Sequence, residues 1–313
     1  MKLNEILHAF PQSVRCRKIP LTVLLAGLTL TVTTLLNANL WAVELPEARP
    51  EEVGMSTEGL EHIREMLQGH IDAGTIQGAV TAVARRGKVV HFEAHGLMNV
   101  EAKEPMTKDA IFRMASSTKP IVGVAVMMMI QEGKIQPSDE VHKYIPEFKG
   151  MKVAVPKDGK PFRRARGVNA ELPEYDLVPV ERDITISDLL THTSGLKSGG
   201  LGNALSRQIR RGADDTLATY IPKLGEVPLD FQPGSRWSYS PGTGIDVLGR
   251  IVEIVSDQPL DEFLRQRIFE PLGMNDTFFN LPEDKRSQLV TMPPRTGANE
   301  TQRSRPPRTS IRK

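Results

Sequence analysis

Cysteine is nearly absent from this chain of 313 residues: only Cys16 is present, and it lies upstream of an apolar stretch. An exported mature chain would carry none, which excludes a disulfide framework and a cysteine nucleophile. Charge of one sign is not in excess either. With 40 basic and 38 acidic residues the formal net charge is +2, so no global field favours nucleic acid, and partners have to be read from local sites. No G-x-S-x-G segment occurs anywhere, which argues against the nucleophile elbow as a route to hydrolytic chemistry. No internal repeat is evident, and no cofactor is expected. What remains, 39% hydrophobic and 25% charged residues, is the material of an ordinary globular protein with a sizeable core.

The two ends depart from that average. Arg15, Arg17 and Lys18 precede an uncharged apolar stretch, residues 21–36, and then small residues ending at Leu40-Trp41-Ala42. That order is a secretory signal, with cleavage expected after Ala38 or Ala42; left uncleaved, the same stretch would associate with a membrane as an anchor. The expected location is therefore secreted or periplasmic. Residues 292–313 carry four prolines, five arginines, one lysine, one acid and no aromatic residue. Such a composition cannot offset the entropy of ordering, so residues 291–313 read as a disordered basic tail, natural or left by loss of the proper C-terminus.

Between the ends, helical and strand periods alternate. Ser56 is placed to cap a helix whose apolar residues Leu60, Ile63, Leu67 and Ile71 share a face, closed by Gly74. Residues 79–84 and 89–95, on either side of Arg86-Gly87-Lys88, read as a two-stranded hairpin. A helix over residues 117–131 is apolar nearly all round, through Ile121, Val122, Val124, Val126, Met127, Met128 and Ile130, and is expected to be a buried central helix stopped by Gly133. Residues 150–182 mix proline, glycine and charge and read as a long surface excursion. A short helix then starts at Thr185, a glycine-rich loop covers residues 198–202, and two later stripes are helical: Ile245, Leu248, Ile251, Val252 and Val255, then Leu260, Phe263, Leu264 and Ile268. The expected order is a hairpin followed by helices, with no strands after them.

Candidate chemistry lies at Ser116-Ser117-Thr118-Lys119, where the apolar helix begins. One helical turn puts positions i and i+3 on the same face, so Ser116 Oγ and Lys119 Nζ can share a hydrogen bond. A lysine among apolar side chains at a helix N-terminus is in the setting that favours its neutral, basic form, and the same helix end offers N–H groups to an oxyanion. Pro120 fits a first turn whose N–H groups lack intrahelical partners. Spacing alone is a weak signal. S-x-x-K also occurs at Ser194/Lys197 and Ser310/Lys313, and Ser116 could serve only as a helix cap. Of these pairs, only the first opens an apolar helix.

Four segments in order add a family resemblance. Ser116-Ser117-Thr118-Lys119-Pro120, Leu189-Leu190-Thr191-His192-Thr193-Ser194-Gly195-Leu196, Pro233-Gly234-Ser235-Arg236-Trp237-Ser238-Tyr239-Ser240 and Phe269-Glu270-Pro271-Leu272-Gly273-Met274 resemble the serine beta-lactamase-related family. That family includes class C beta-lactamases, penicillin-binding D,D-peptidases and carboxylesterases of the same fold, and the resemblance covers roughly residues 51–281. It implies an α+β fold of the beta-lactamase/transpeptidase type, an antiparallel sheet flanked by helices with a helical region inserted. The hydrolase domain would span residues 43–290, after a signal segment at 1–42. The resemblance also implies Ser116 as the acylated nucleophile, Lys119 as its hydrogen-bonded amine and Tyr239 as the proton shuttle to the leaving group. A tyrosine needs a neighbouring cation for that work near neutral pH, because its free pKa is about 10; a buried aromatic beside Trp237 is the plainer alternative. The implied reaction is hydrolysis of a small ester or amide through a covalent acyl-enzyme, without cofactor or metal. The alternative is an inactive relic or a penicillin-recognition binding protein.

Two departures from the family pattern shape the expectation. Where the family's beta-lactamases usually carry asparagine two residues after the tyrosine, this chain has Pro241, which offers no donor to a substrate amide, so esters are favoured. The family's third motif, on a strand lining the site beyond Asn280, has no counterpart here. The C-terminal strands are therefore expected to be missing, the domain to be incomplete and the hairpin to keep an open edge. His91 and His95 have metal-ligand spacing but lie in a strand-like run with no third ligand expected nearby, so no metal site is anticipated. His192 is expected to be structural, and Met127, Met128 and Met129 to fill the core.

Overall fold

The computed structural model describes residues 45–160, 162, 172–206, 209 and 211–292. The expected signal segment and most of the expected basic tail, from residue 293 on, lie outside the described residues. Among the described residues no helix is long and apolar enough to cross a membrane.

Ser56 Oγ accepts from Gly59 N at 3.1 Å and so caps helix α1 (Thr57–Asp72), as the sequence pattern predicts. Leu60 and Leu67 of α1 are buried. Strands β1 (Gly78–Arg85) and β2 (Lys88–Asn99) form the expected hairpin, antiparallel, with Val80 opposite Ala94 and Ala82 opposite Phe92. Its turn residues, Arg86 and Gly87, both take positive φ, 54° and 71°, the combination that matches the twist of the flanking strands. A two-residue strand β3 (Glu104–Pro105) adds to the far side of β2, giving the order β1-β2-β3.

Helix α2 (Thr118–Gln131) is buried on one side only. Val122, Ala125, Val126 and Met129 are in the core, but Val124 and Met127 are 50% and 54% exposed. Apolar composition all round was expected to mean burial all round; the outer face instead has no element packed over these two side chains among the described residues.

Strands also follow the hairpin, against expectation. Within the stretch read as a surface excursion, β4 (Lys152–Pro156) pairs antiparallel with β5 (Tyr175–Pro179) as a separate two-stranded sheet. Val153 and Ala154, adjacent in β4, are both buried, because Leu229 bridges onto Val153 from outside the pair. A five-residue strand with consecutive buried residues carries almost no period-two signal.

The helical region continues with α3 (Ile186–Leu190), α4 (Leu201–Leu205), α5 (Leu217–Tyr220), α6 (Thr243–Ser256) and α7 (Leu260–Leu264), which runs into a π-helical turn at Arg265–Phe269. Helix α4 begins inside the expected glycine-rich loop, with Gly200 at its N-cap. The core joins Val122, Val126 and Met129 of α2 to Val247, Leu248, Ile251 and Val252 of α6, with Phe148, Leu224 and Phe263 around them. Each such side chain contributes about 1.5–3 kcal/mol on burial. This α2–α6 contact brings together the segments that precede the two helices, and those segments carry the site.

Candidate active site

Ser116 sits in a short 3-10 turn, Ala115–Ser117, immediately ahead of α2. Ala115 is held at φ +45°, a left-handed conformation that costs a residue with a Cβ about 1–2 kcal/mol, so strain is stored directly beside the serine. Ser116 does not cap the helix. The N-cap position belongs to Ser117, which makes no side-chain cap bond, while Ser116 Oγ lies in a 2.9 Å hydrogen bond with Tyr239 Oη. The same Oγ accepts from Lys119 Nζ at 3.2 Å. Lys119 Nζ also donates to the Pro241 carbonyl at 2.5 Å and lies 5.1 Å from the centre of the Tyr239 ring. All three residues anticipated from the sequence therefore meet in one hydrogen-bonded cluster. The amine is less enclosed than its apolar surroundings in the sequence implied: Ser116 is exposed and Lys119 half-buried.

Tyr239 stands on a loop without regular secondary structure, so its backbone polar groups need partners elsewhere. The Thr191-His192-Thr193 turn supplies them. Gly234 N donates to Thr193 O at 2.8 Å and Ser238 N to His192 O at 3.0 Å, and Ser240 N reaches His192 Nδ1 at 3.4 Å. That turn is fixed in its own right by Asp188, a buried residue of α3. Asp188 accepts from Arg182 at 2.5 and 2.9 Å, from Thr185 N and Oγ1 at 2.9 and 2.8 Å, and from Thr193 Oγ1 at 3.0 Å. Burial pushes its carboxyl pKa up, but the bonds from Arg182, Thr185 and Thr193 outweigh burial and hold it below the usual carboxylate value. Gly195 closes the turn at φ +74°, where an added Cβ would fall 2.4 Å from Phe231 O; only glycine fits.

His192 does the structural work expected of it and also borders the site. Its ring is 4.9 Å from that of Tyr239 and meets Trp237 edge-on at 6.3 Å. Burial, with help from the Lys119 charge, lowers its pKa below the ordinary histidine value, which favours the neutral ring. Tyr239 and Trp237 are 40% and 66% exposed, which removes the plainer alternative of a buried aromatic pair. The hydrogen bond with Ser116, then Lys119, lowers the Tyr239 pKa from its ordinary value.

Two contributors are invisible to residue-type reasoning: the Pro241 carbonyl, a backbone group, and the His192 ring, which only the fold carries to Tyr239. The competing Ser194/Lys197 pair falls away: Ser194 is buried, with its Oγ accepting from Leu196 N, while Lys197 donates to Tyr220. The Ser310/Lys313 pair lies outside the described residues. The expectation that no third ligand lies near His91 and His95 is corrected: Glu93 stands between them, and the ligating atoms of all three lie within 4.8 Å of one another.

The α+β frame and a serine–lysine–tyrosine cluster at the head of a core helix define the beta-lactamase/transpeptidase-like class. The chain belongs to the beta-lactamase family, whose described domain, Beta-lactamase, matches residues 63–310. Protein Rv1367c of Mycobacterium tuberculosis is 38% identical over 228 residues, covering 71% of this chain and 52% of that protein. Esterase EstB of Burkholderia gladioli is 36% identical over 216 residues, covering 67% and 48%. Among solved structures, EstCE1, described as a hydrolase with promiscuous acyltransferase activity, superposes with a TM-score of 0.59 at 29% identity, covering 74% of this chain and 55% of that one. The chain thus spans about half the length of the curated relatives it matches.

Proposed function

We propose that this chain is a serine hydrolase that moves the acyl group of a small ester to water through a covalent intermediate on Ser116. The observation that carries the reading is the pair of hydrogen bonds on Ser116 Oγ, one with Tyr239 Oη at 2.9 Å and one from Lys119 Nζ at 3.2 Å. A serine hydroxyl is a weak nucleophile unless a neighbouring base takes its proton. In the proposed first step Ser116 Oγ attacks the ester carbonyl carbon while its proton passes to Tyr239 or Lys119, and N–H groups at the head of α2 help hold the oxyanion. The C–O bond to the alcohol then breaks, and Tyr239 returns a proton to the departing oxygen. Water attacks the acyl-enzyme, its proton is taken by the same pair, and Ser116 leaves reprotonated.

Esters rather than amides are favoured by the residue after Ser240. Pro241 has no polar side-chain atom, so its side chain offers a substrate amide neither a donor for the C=O nor an acceptor for the N–H. One relative, named as an esterase, points the same way. The N-terminal signal pattern puts the proposed reaction outside the cytoplasm, which a mature protein about 40 residues shorter in a cell fractionation would support.

The test is hydrolysis of p-nitrophenyl acetate and butyrate beside a chromogenic cephalosporin. The wild-type chain is expected to cleave the esters in preference to the cephalosporin, and Ser116→Ala to lose at least about 10³-fold in kcat/KM. Ester turnover unchanged by Ser116→Ala would overturn the reading.

A further inference from the structure

The face of the β1–β2 hairpin that looks toward α1 carries a polar row. His91, Glu93 and His95 alternate along β2 and therefore project from the same side of the sheet. Thr81 of β1 lies opposite Glu93 in the register. At a strand rise of about 3.3 Å per residue, the Cα atoms of His91 and His95 are about 13 Å apart. Their ligating nitrogens nevertheless come within 4.8 Å of each other and of the Glu93 carboxylate, so the two rings lean inward over Glu93. His91 Nε2 lies 2.8 Å and His95 Nε2 3.5 Å from Thr81 Oγ1. His95 Nε2 is 3.6 Å from Glu93 Oε2. Four ligands at 2.0–2.1 Å from a zinc ion stand about 3.3 Å apart along each tetrahedral edge, so this contact needs little adjustment.

We propose that His91, Glu93 and His95 bind a transition-metal dication of the zinc class, with water as the fourth ligand and the Thr81 hydroxyl hydrogen-bonded beside it. Two imidazoles and one carboxylate are the donor set that suits zinc and its neighbours rather than calcium or magnesium. The site shares no residue with the Ser116 cluster; its three protein ligands all lie on β2, and the Thr81 hydroxyl is its contact with β1. Arg64 of α1 now occupies the carboxylate, its Nε 3.1 Å from Glu93 Oε2 and its Nη2 2.5 Å from Oε1. The Arg64 side chain is 60% exposed, an ion pair of the weak surface kind, and it turns out into solvent when the metal takes the carboxylate. The arginine is thus a competitor built into the site.

A second cluster, Glu140, His142 and Asp183, provides the contrast. There His142 faces Glu140 through Nε2 at 3.5 Å and Asp183 through Nδ1 at 3.0 Å. The cluster's ligating atoms also lie within 4.8 Å of one another, but it offers one imidazole to two carboxylates, a harder donor set than that of His91, Glu93 and His95.

The experiment uses the full chain without an affinity tag, stripped with a chelator, then titrated with zinc chloride by calorimetry and with cobalt(II) by visible absorption. One equivalent of either metal is expected to bind, and cobalt to give the intense bands of a four-coordinate ion. His91→Asn and His95→Asn are each expected to weaken binding at least tenfold, His142→Asn to leave it unchanged, and Arg64→Gln to tighten it by freeing Glu93. Circular dichroism checks that each variant is folded; should a histidine variant fail to fold, the wild-type cobalt spectrum and the Arg64→Gln titration decide. No metal bound by the folded wild-type chain at millimolar concentration, or binding abolished by His142→Asn and untouched by His91→Asn with His95→Asn, overturns the proposal.

Discussion

At Tyr239 a phenol meets the hydroxyl of Ser116 and the side-chain nitrogen of Lys119, and both contacts lower its pKa. Replacing it with phenylalanine removes the proposed proton shuttle and leaves the ring in place against His192. Tyr239→Phe is therefore expected to slow acylation about 10²- to 10⁴-fold with little change in KM, measured by stopped-flow with an activated ester. The pH profile carries the same signature. Because the folded pKa of Tyr239 is lowered, the phenolate forms at a lower pH than in free tyrosine. The ascending limb of kcat/KM in the wild type should thus fall below the free value of about 10, and Tyr239→Phe should lose it. That Ser116 and Lys119 can meet was legible from their spacing, and the family resemblance added Tyr239 to them. The Pro241 carbonyl was not legible. Read as a residue type, proline is only a lost donor, yet its backbone oxygen holds the lysine.

The elements that aim Tyr239 are two loops tied to each other, and Asp188 fixes one of them. Its side chain binds Arg182, Thr185 and Thr193 at once, so Asp188→Asn strips a charge-assisted network from a buried position. Breaking a buried ion pair costs about 3–5 kcal/mol; with Arg182 half-exposed, a loss of about 2–3 kcal/mol is expected in urea unfolding. The sign with pH follows from the lowered folded pKa of Asp188. Its contribution is full above the unfolded carboxylate value near 3.9 and disappears as pH falls through the folded value. The unfolding midpoint of the wild type should consequently drop more steeply below pH 4 than that of Asp188→Asn. Gly195→Ala is expected to cost at least about 2 kcal/mol, since left-handed strain adds to a backbone clash at Phe231 O, checked by thermal unfolding. Helices α1, α2 and α6 were plain from apolar period and caps. Strands β4 and β5 were not, because their order comes from pairing with each other and with Leu229 rather than from any alternation of their own.

For the whole molecule, the family resemblance carried by four motifs in order implied the α+β class before any coordinate. What the order did not convey is how burial is distributed. Helix α2 reads as wholly apolar yet keeps Val124 and Met127 open to solvent, because exposure depends on what packs against a face and not on the face itself. The same holds at the hairpin, where Glu93 completes a three-ligand cluster only once the strand places it between His91 and His95. The central claim is that the chain carries a reactive Ser116. Its most direct test is incubation of the folded protein with a fluorophosphonate, followed by intact-mass analysis and peptide mapping. The account predicts a single adduct on the peptide containing Ser116, absent in Ser116→Ala. No adduct on a folded wild-type chain, or one that persists in Ser116→Ala, would contradict it.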